Sequence, residues 1–558
     1  MTRGRTPLLL LAALLAASSG PSFAEDGADL LLQHGVFYPV QPPGRIEGSI
    51  AVRGGRIVFL GPDAEAARFR GPKTRVVDLA GRTVTPGLID AHSHLLGLGR
   101  ALAEVDLTAA PTYDEVIRRV REAAARAPQG SWVFGRGWDQ NLWPGRQFPT
   151  HEALSAAVPD HPVWLTRVDG HAALVNTRAM AALGIDAATQ DPSGGRFLRD
   201  AAGHPSGVLV DNAMNVLGRL PGASPEDNRR WLRAASRHCL ALGLTTVTDM
   251  GVEAGEVAAY QSLRDAGELP LRAALFLTDD EVLLDTWFRR GPAIDPEARL
   301  TIRGVKMYAD GALGSRGAAL LEPYSDDPGN LGLLVTPGAH MEEVSRRAVA
   351  AGFQVGIHAI GDRGSLVALD AMEKALGGPR PEARFRLEHT QVVRVQDLER
   401  MARLGIIASM QPTHATSDMP WADERLGEAR LERAYAWRKV LADGGRLALG
   451  SDFPVESADP RLGLYAAVTR QDLKGNPPGG WLPGERLTRE EALRGFTLDA
   501  AWSLFLEKEV GSLEVGKRAD LVVFARDIMT VPEAEIPRVE IDMTVVDGRV
   551  VHERGSTP

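Results

Sequence analysis

The 558-residue chain has a single cysteine, Cys239. No intrachain disulfide can form, and a cysteine-rich zinc or iron–sulfur site is excluded. A metal would have to rest on His, Asp, Glu or Lys. The chain also lacks basic excess. Its 63 Lys and Arg against 72 Asp and Glu give a net charge of −9, so there is no electrostatic footprint for nucleic acid. Beyond the N-terminus no run of 18 apolar residues occurs, so no membrane span is expected in the mature protein. No G-x-G-x-x-G opens a helix and no Walker A loop appears, which leaves nucleotide binding unsupported. What is present is ordinary globular composition, 44% hydrophobic and 24% charged, at a length that suits one large enzyme domain plus a satellite.

Residues 1–24 resemble an export leader. Arg3 and Arg5 make a positive start, residues 8–17 are apolar, and Ser22-Phe23-Ala24 has the small-x-small form of a cleavage site. Ten apolar residues are too few to span a bilayer as a helix. A periplasmic protein, free of the membrane after cleavage, is the expectation.

The body alternates short β-rich runs with helical stretches eight times. The runs lie at 83–90, 244–249, 271–277, 303–309, 354–360, 384–388, 406–410 and 446–450. Helices are expected near 254–266, 280–290, 395–404 and 488–506. Repetition of this kind predicts a parallel sheet, and eight units predict a closed (β/α)₈ TIM-type barrel within residues 85–506. Residues of about 100–235 are too long for a crossover and should form an insertion after the first barrel strand. Gly54-Gly55 and Asp547-Gly548 each sit between β-rich runs, the signature of a tight hairpin. The two chain ends, 25–84 and 507–558, are therefore expected to build one small composite β-sandwich.

Chemistry-bearing residues fall at the ends of the predicted barrel strands. His92 and His94 end the first, and alternation points both imidazoles to one face. Lys306 ends the fourth, His358 the fifth, His389 the sixth and Asp452 the eighth. Barrel enzymes keep their sites at this face. Imidazole and carboxylate suit Zn²⁺ and its neighbours, and four histidines with a carboxylate exceed the needs of one tetrahedral ion. Two metals close together need a bridging anion. Lys306 could supply one only as a carbamate, formed after burial favours the neutral amine. His34, His151, His161, His204, His238, His340 and His552 lack strand-end context and are read as structural or surface residues.

The segment Pro86-Gly87-Leu88-Ile89-Asp90-Ala91-His92-Ser93-His94 resembles the first-strand signature of the amidohydrolase superfamily. The order His-x-His, Lys, His, His, Asp is similar to its binuclear members. One branch, the N-substituted formamide deformylase-like amidohydrolases (amidohydrolase family 3), is resembled by several further segments. These are Arg167-Val168-Asp169-Gly170-His171 with Val175-Asn176, the run from Asp310-Gly311-Ala312 to Arg316, Glu322-Pro323-Tyr324, His358 through Asp362, Glu388-His389, Gln411-Pro412 and Gly450-Ser451-Asp452-Phe453-Pro454. Residues 515–522 look like the superfamily's return to its β-sandwich.

The resemblance implies roles. His92, His94 and Asp452 would hold one metal, His358 and His389 a second, and carboxylated Lys306 would bridge two Zn²⁺ per chain. A metal-activated hydroxide would attack the carbonyl of a small non-peptide or N-substituted, formamide-like amide, with Asp452 as proton shuttle. Superfamily deaminases carry a helper glutamate after the fifth strand, whereas this chain has Asp362 and the lysine. Trp138, Arg167, His171 and His414 are candidates to line the pocket mouth, and Arg316 to pair a substrate carboxylate. Cyclic amides, carbamates, dipeptides, and esters or lactones stay open as substrates, as does a homo-oligomer. A non-catalytic binding protein on this scaffold is the alternative of another class.

Overall fold

The computed structural model describes residues 27–555 apart from 109, 168–171, 193–194, 220–222 and 315. The leader-like residues 1–24 and His171 lie outside the described residues. Among the described residues, no helix is long and apolar enough to cross a membrane.

The centre is a nearly closed parallel barrel of eight strands. They are β1 (Leu88–Ser93), β2 (Leu244–Val252), β3 (Arg272–Thr278), β4 (Leu300–Tyr308), β5 (Gln354–Ala359), β6 (Arg386–His389), β7 (Ile407–Met410) and β8 (Leu447–Leu449). Each pairs with the next in register order, from β1 to β8. Between β8 and β1 the closure is made by the chain beyond β8, where Asp452 N–H donates to the His92 carbonyl at 2.8 Å. Gly450 makes this possible, because a Cβ there would come within 2.6 Å of Asp90 Oδ1 and the His92 nitrogen. The lower interior is filled by small and apolar side chains, including Ile89, Ala91, Met250, Phe276, Ile407 and Ala448.

The predicted strand 83–90 is two strands. Thr83–Pro86 pairs with Leu30–Phe37 and Leu521–Phe524, while Leu88 onward joins the barrel. Gly87 is the crossing point, where a Cβ would lie 2.1 Å from Thr245 Oγ1. The two chain ends share one eight-stranded sheet, ordered Arg549–Glu553, Ile541–Val546, Leu521–Phe524, Thr83–Pro86, Leu30–Phe37, Ile46–Arg53, Arg56–Gly61, with Arg75–Asp78 also against Leu30–Phe37. Both hairpins turn on residues with positive φ, Gly54 and Gly55 at 58° and 76°, Asp547 and Gly548 at 48° and 71°. Two successive left-handed residues match the strand twist, which is why Gly-Gly and Asp-Gly occupy these turns.

Between β1 and β2 lies a separate six-stranded sheet with its own apolar core around Trp138, Trp143, Leu154 and Leu165. The expected long helix over 488–506 is broken into Arg489–Gly495 and Leu498–Ser503. The Phe496 carbonyl is taken by the Ile89 N–H of β1 at 2.7 Å, and Thr497 leaves helical geometry with φ −136° and ψ −92°.

Candidate metal centre

Seven sequence-nominated residues meet at the carboxyl end of the barrel. His92, His94, Lys306, His358, His389, His414 and Asp452 all line one cavity of about 400 Å³. The strands dictate this convergence, since parallel neighbours present their last residues at the same end. His92 and His94 do face one way. Their Nε2 atoms lie 3.5 and 3.1 Å from Asp452 Oδ1. Lys306 Nζ is 3.3 Å from His92 Nε2. The His389 ring sits 4.6 Å from His92 and 4.5 Å from His358, centroid to centroid.

The outer nitrogens of three imidazoles are already committed. His92 Nδ1 is 2.7 Å from Glu388 Oε2, His94 Nδ1 is 3.0 Å from the Met250 carbonyl, and His389 Nδ1 is 2.9 Å from Gln411 Oε1. An acceptor on Nδ1 leaves the Nε2 lone pair directed at the cavity, the arrangement of a metal-binding histidine. His358 is turned the other way, with Nε2 3.4 Å from the Gly311 carbonyl and 3.7 Å from Asp310 Oδ1. His92, His389 and Asp452 each bring a donor atom to within 4.8 Å of the others, the one such group among the described residues. Asp452 Oδ1 is buried without a hydrogen-bond donor of proper geometry despite the nearby imidazoles. Nitrogen and carboxylate donors that converge without bonding one another fit a divalent cation.

Two of these residues adopt left-handed backbone, His389 at φ 71° and Asp452 at φ 63°. Non-glycine residues hold that region only where the surroundings impose it, and such positions gather at functional sites. Burial sets the charges. It pushes His92 down to about 4, with Lys306 adding to the effect, and His358 down to about 3. Both imidazoles are therefore neutral and able to ligate. Burial also lowers Lys306 to about 8, against the pull of Glu388 and Asp452. For Asp452 burial acts upward, but the imidazoles of His94, His92 and His389 around it outweigh this and hold the carboxyl well below its ordinary value.

The amidohydrolase family model matches residues 75–552. The chain belongs to the amidohydrolase family. It is 35% identical to the protein LONG AFTER FAR-RED 3 of Arabidopsis thaliana, over 89% of this chain and 87% of that one. It is 31% identical to the N-substituted formamide deformylase of Arthrobacter pascens, over 91% and 95%. The solved structure of an uncharacterized metal-dependent hydrolase from Pyrococcus furiosus superposes with a TM-score of 0.76 at 32% identity, covering 90% of this chain and all of that one. This amidohydrolase is a metal-dependent hydrolase with a TIM-type barrel.

Other nominated residues of the amidohydrolase stand elsewhere. Trp138 is not at the pocket mouth. It is fully buried in the insertion core, where Nε1 donates to the Leu165 carbonyl at 2.8 Å and the ring stacks on Trp143. Arg167 also lies in the insertion sheet, with Gln140 and Asp139 at 2.7 Å each. Arg316 spends its fork on Asp326, at 3.1 and 2.7 Å, and is not among the described cavity-lining residues. Asp362 does not line the cavity either. It accepts from Leu321 N–H and pairs with Arg433 at 3.2 Å.

Sequence reasoning assigned no role to Glu388, Gln411, Gln391, Tyr308, Asp418, Trp421 or Glu456. The first two orient histidines and the others line the cavity. A signal for Glu388 existed, an acid directly before a strand-end histidine. Tyr308 ends β4, and the rest come from loops and one helix that only the fold brings over the barrel. Asp310 was missed as a brace. It accepts backbone N–H bonds from Ile360, Gly361 and Ala319 at 2.8–3.0 Å, which fixes the chain after His358.

Proposed function

We propose that this protein hydrolyses the C–N bond of a small N-substituted, formamide-like amide, releasing a carboxylic acid and an amine. The observation that carries the reading is the set of imidazoles clamped through Nδ1 and converging with Asp452 on one cavity. The 31% identity to a formamide deformylase over nearly the whole of both chains supports this substrate class. In this reading His92, His94 and Asp452 would hold one divalent ion, and His358 and His389 a second, both zinc. Ions held there would supply an acidified water and a polarised amide carbonyl. Lys306 would be the bridging residue. Its buried amine, lowered to about 8, can shed a proton and take up carbon dioxide as an anionic carbamate beside His92.

The chain's own groups then do the following. Asp452 is ionised at neutral pH and accepts the proton of the attacking water. The same carboxyl returns it to the amide nitrogen, so the amine leaves neutral. His414 stands with Nε2 3.7 Å from Asp452 Oδ2 and with no hydrogen-bond partner on that atom. It is placed to contact the substrate carbonyl. Leu313, Ile360 and Trp421 line the cavity and limit water around the reacting carbon. The leader-like segment supports export to the periplasm.

The test is elemental analysis of the leader-free protein expressed with zinc and bicarbonate, followed by a screen of N-substituted formamides and acyl amides. Two metals per chain with formate or acid release supports the proposal. One metal removes the bridging role of Lys306. No metal and no turnover would favour a binding protein on this scaffold.

A further inference from the structure

The helix Pro412–Leu426, which follows β7, presents His414, Ser417, Asp418 and Trp421 to the cavity. These are positions i, i+3, i+4 and i+7, one face of an α-helix. A buried-facing helix stripe is normally apolar, and this one carries an imidazole, a hydroxyl and one carboxylate beside Trp421. Across from it, the chain beyond Asp452 adds Val455 and Glu456 to the same lining. Ser417 Oγ donates to Glu456 Oε1 at 2.6 Å, which joins the two elements. Tyr435 OH donates to Asp418 Oδ2 at 2.6 Å and braces that carboxyl from behind. Each carboxylate has a second oxygen with its own acceptor sites.

The mouth is one-sided in charge. Among the described lining residues Lys306 is the single Lys or Arg, and it sits at the floor beside His92. Arg425 lies over the Trp421 ring at 5.5 Å, yet both it and Arg316 are paired with Asp326. A second observation marks this wall as ligand-facing. His414 is only 8% exposed, lines the cavity, and its Nε2 has no hydrogen-bond partner. Tyr308 and Trp421 complete the lining, each with a cation of the chain over its ring, Lys306 Nζ at 5.0 Å and Arg425 at 5.5 Å.

We propose that Asp418 and Glu456 form an anionic subsite that selects amides carrying a cationic group, such as a primary ammonium or an amidinium, away from the scissile bond. The same subsite rejects N-acyl amino acids and dipeptides, whose free carboxylate would face two acids without a guanidinium to pair. This rests on the amide-hydrolase reading and narrows it to basic substrates.

One scaffold tests it with the metal-loaded enzyme. The N-formyl derivatives of 4-(aminomethyl)benzylamine, benzylamine and 4-(aminomethyl)benzoate differ in charge at a single remote position. The cationic compound is expected to exceed the anionic one in kcat/KM by about 100-fold, because a like charge across a binding surface is strongly disfavoured. Glu456→Gln and Asp418→Asn should each lower that ratio about tenfold, and added salt should compress it. Calorimetric binding of the parent amines gives a readout free of turnover. If no formamide is cleaved but the diamine still binds more tightly than the amino acid, and Glu456→Gln erodes the difference, the substrate reading fails and the subsite stands. Equal or better handling of the carboxylate compound, or a charge preference untouched in both variants, overturns the proposal. Glu456 is half-buried, so its variant should fold even if Asp418→Asn, whose amide oxygen is a weaker acceptor for the Tyr435 hydroxyl, does not.

Discussion

Glu388 Oε2 lies 2.7 Å from His92 Nδ1, and both side chains are buried beneath the cavity floor. Arg386 grips the same carboxyl, with Nε 2.8 Å from Oε1. The carboxylate thus stays ionised although burial works against it. The pair fixes the orientation of an imidazole whose other nitrogen faces the site. Replacing Glu388 with Gln keeps the shape and removes the charge. The expected outcome is a 10- to 100-fold loss of metal affinity or of kcat/KM, as for other groups that orient a ligating histidine. Metal titration alongside kinetics checks it, and wild-type values in both would sink the assignment.

Asp452→Asn preserves volume and removes the proton acceptor. Turnover should fall by about 10²- to 10⁴-fold, the range for loss of a positioned acid–base group. The circular dichroism spectrum should stay unchanged. Retained activity would move the shuttle role to another residue.

Chelation of the metals should abolish hydrolysis, and added zinc should restore it, since imidazole and carboxylate ligands cannot themselves activate water strongly. Lys306→Met keeps the length and apolar stem without the amine. Elemental analysis is expected to show metal content falling from about two per chain towards one, in line with the loss of a bridging ligand. Two metals in the variant would exclude a carbamate bridge.

Away from the site, Arg272 at the start of β3 is fully buried and pairs with Asp520 at 2.7 Å and with Asp547, tying the barrel to the sheet of chain ends. Arg272→Ala leaves two acids without their main partner. A cost of ~3–5 kcal/mol is expected, the usual result of breaking a buried pair. Urea unfolding midpoints for the variant and wild type measure it, and a difference within error would show that Arg299 and Arg518 suffice.

Asp547 sets a pH dependence of the same joint. Burial acts to raise its carboxyl, but Arg272 and Arg299 outweigh this and hold it below the ordinary value. A carboxyl depressed in the folded state stabilises above its unfolded pKa of about 4 and loses that contribution as pH falls through the folded value. Stability should therefore decline on acidification below about pH 4. In Asp547→Asn the decline should be shallower, and identical acid-unfolding curves would remove Asp547 from the account.

The barrel was legible because its strands are apolar runs separated by helix signals, and a parallel sheet imposes that rhythm on the chain. His92, His94, Lys306, His358, His389 and Asp452 were legible because each stands at the end of such a run. Strand 83–90 was misread as one element, since β-propensity continues through Gly87 while the chain changes sheets there. The helix over 488–506 looked continuous because hydrophobic period cannot report that Ile89 claims the Phe496 carbonyl. Trp138 was placed at the mouth from a loop-like motif, and burial in a separate core decides otherwise.

By itself the sequence determined what is local or periodic: the strand order, the two left-handed hairpin turns, and the residue types at strand ends. Only the tertiary structure decided what depends on contacts between distant segments. It set Glu388 against His92, 296 residues apart, closed the barrel through Gly450, and turned the His414, Ser417, Asp418 and Trp421 face of one helix over the cavity. The reason is physical. Backbone propensity and hydrophobic period act over a few residues, whereas orientation of a side chain and the charge of a cavity wall are fixed by neighbours that the chain supplies from elsewhere.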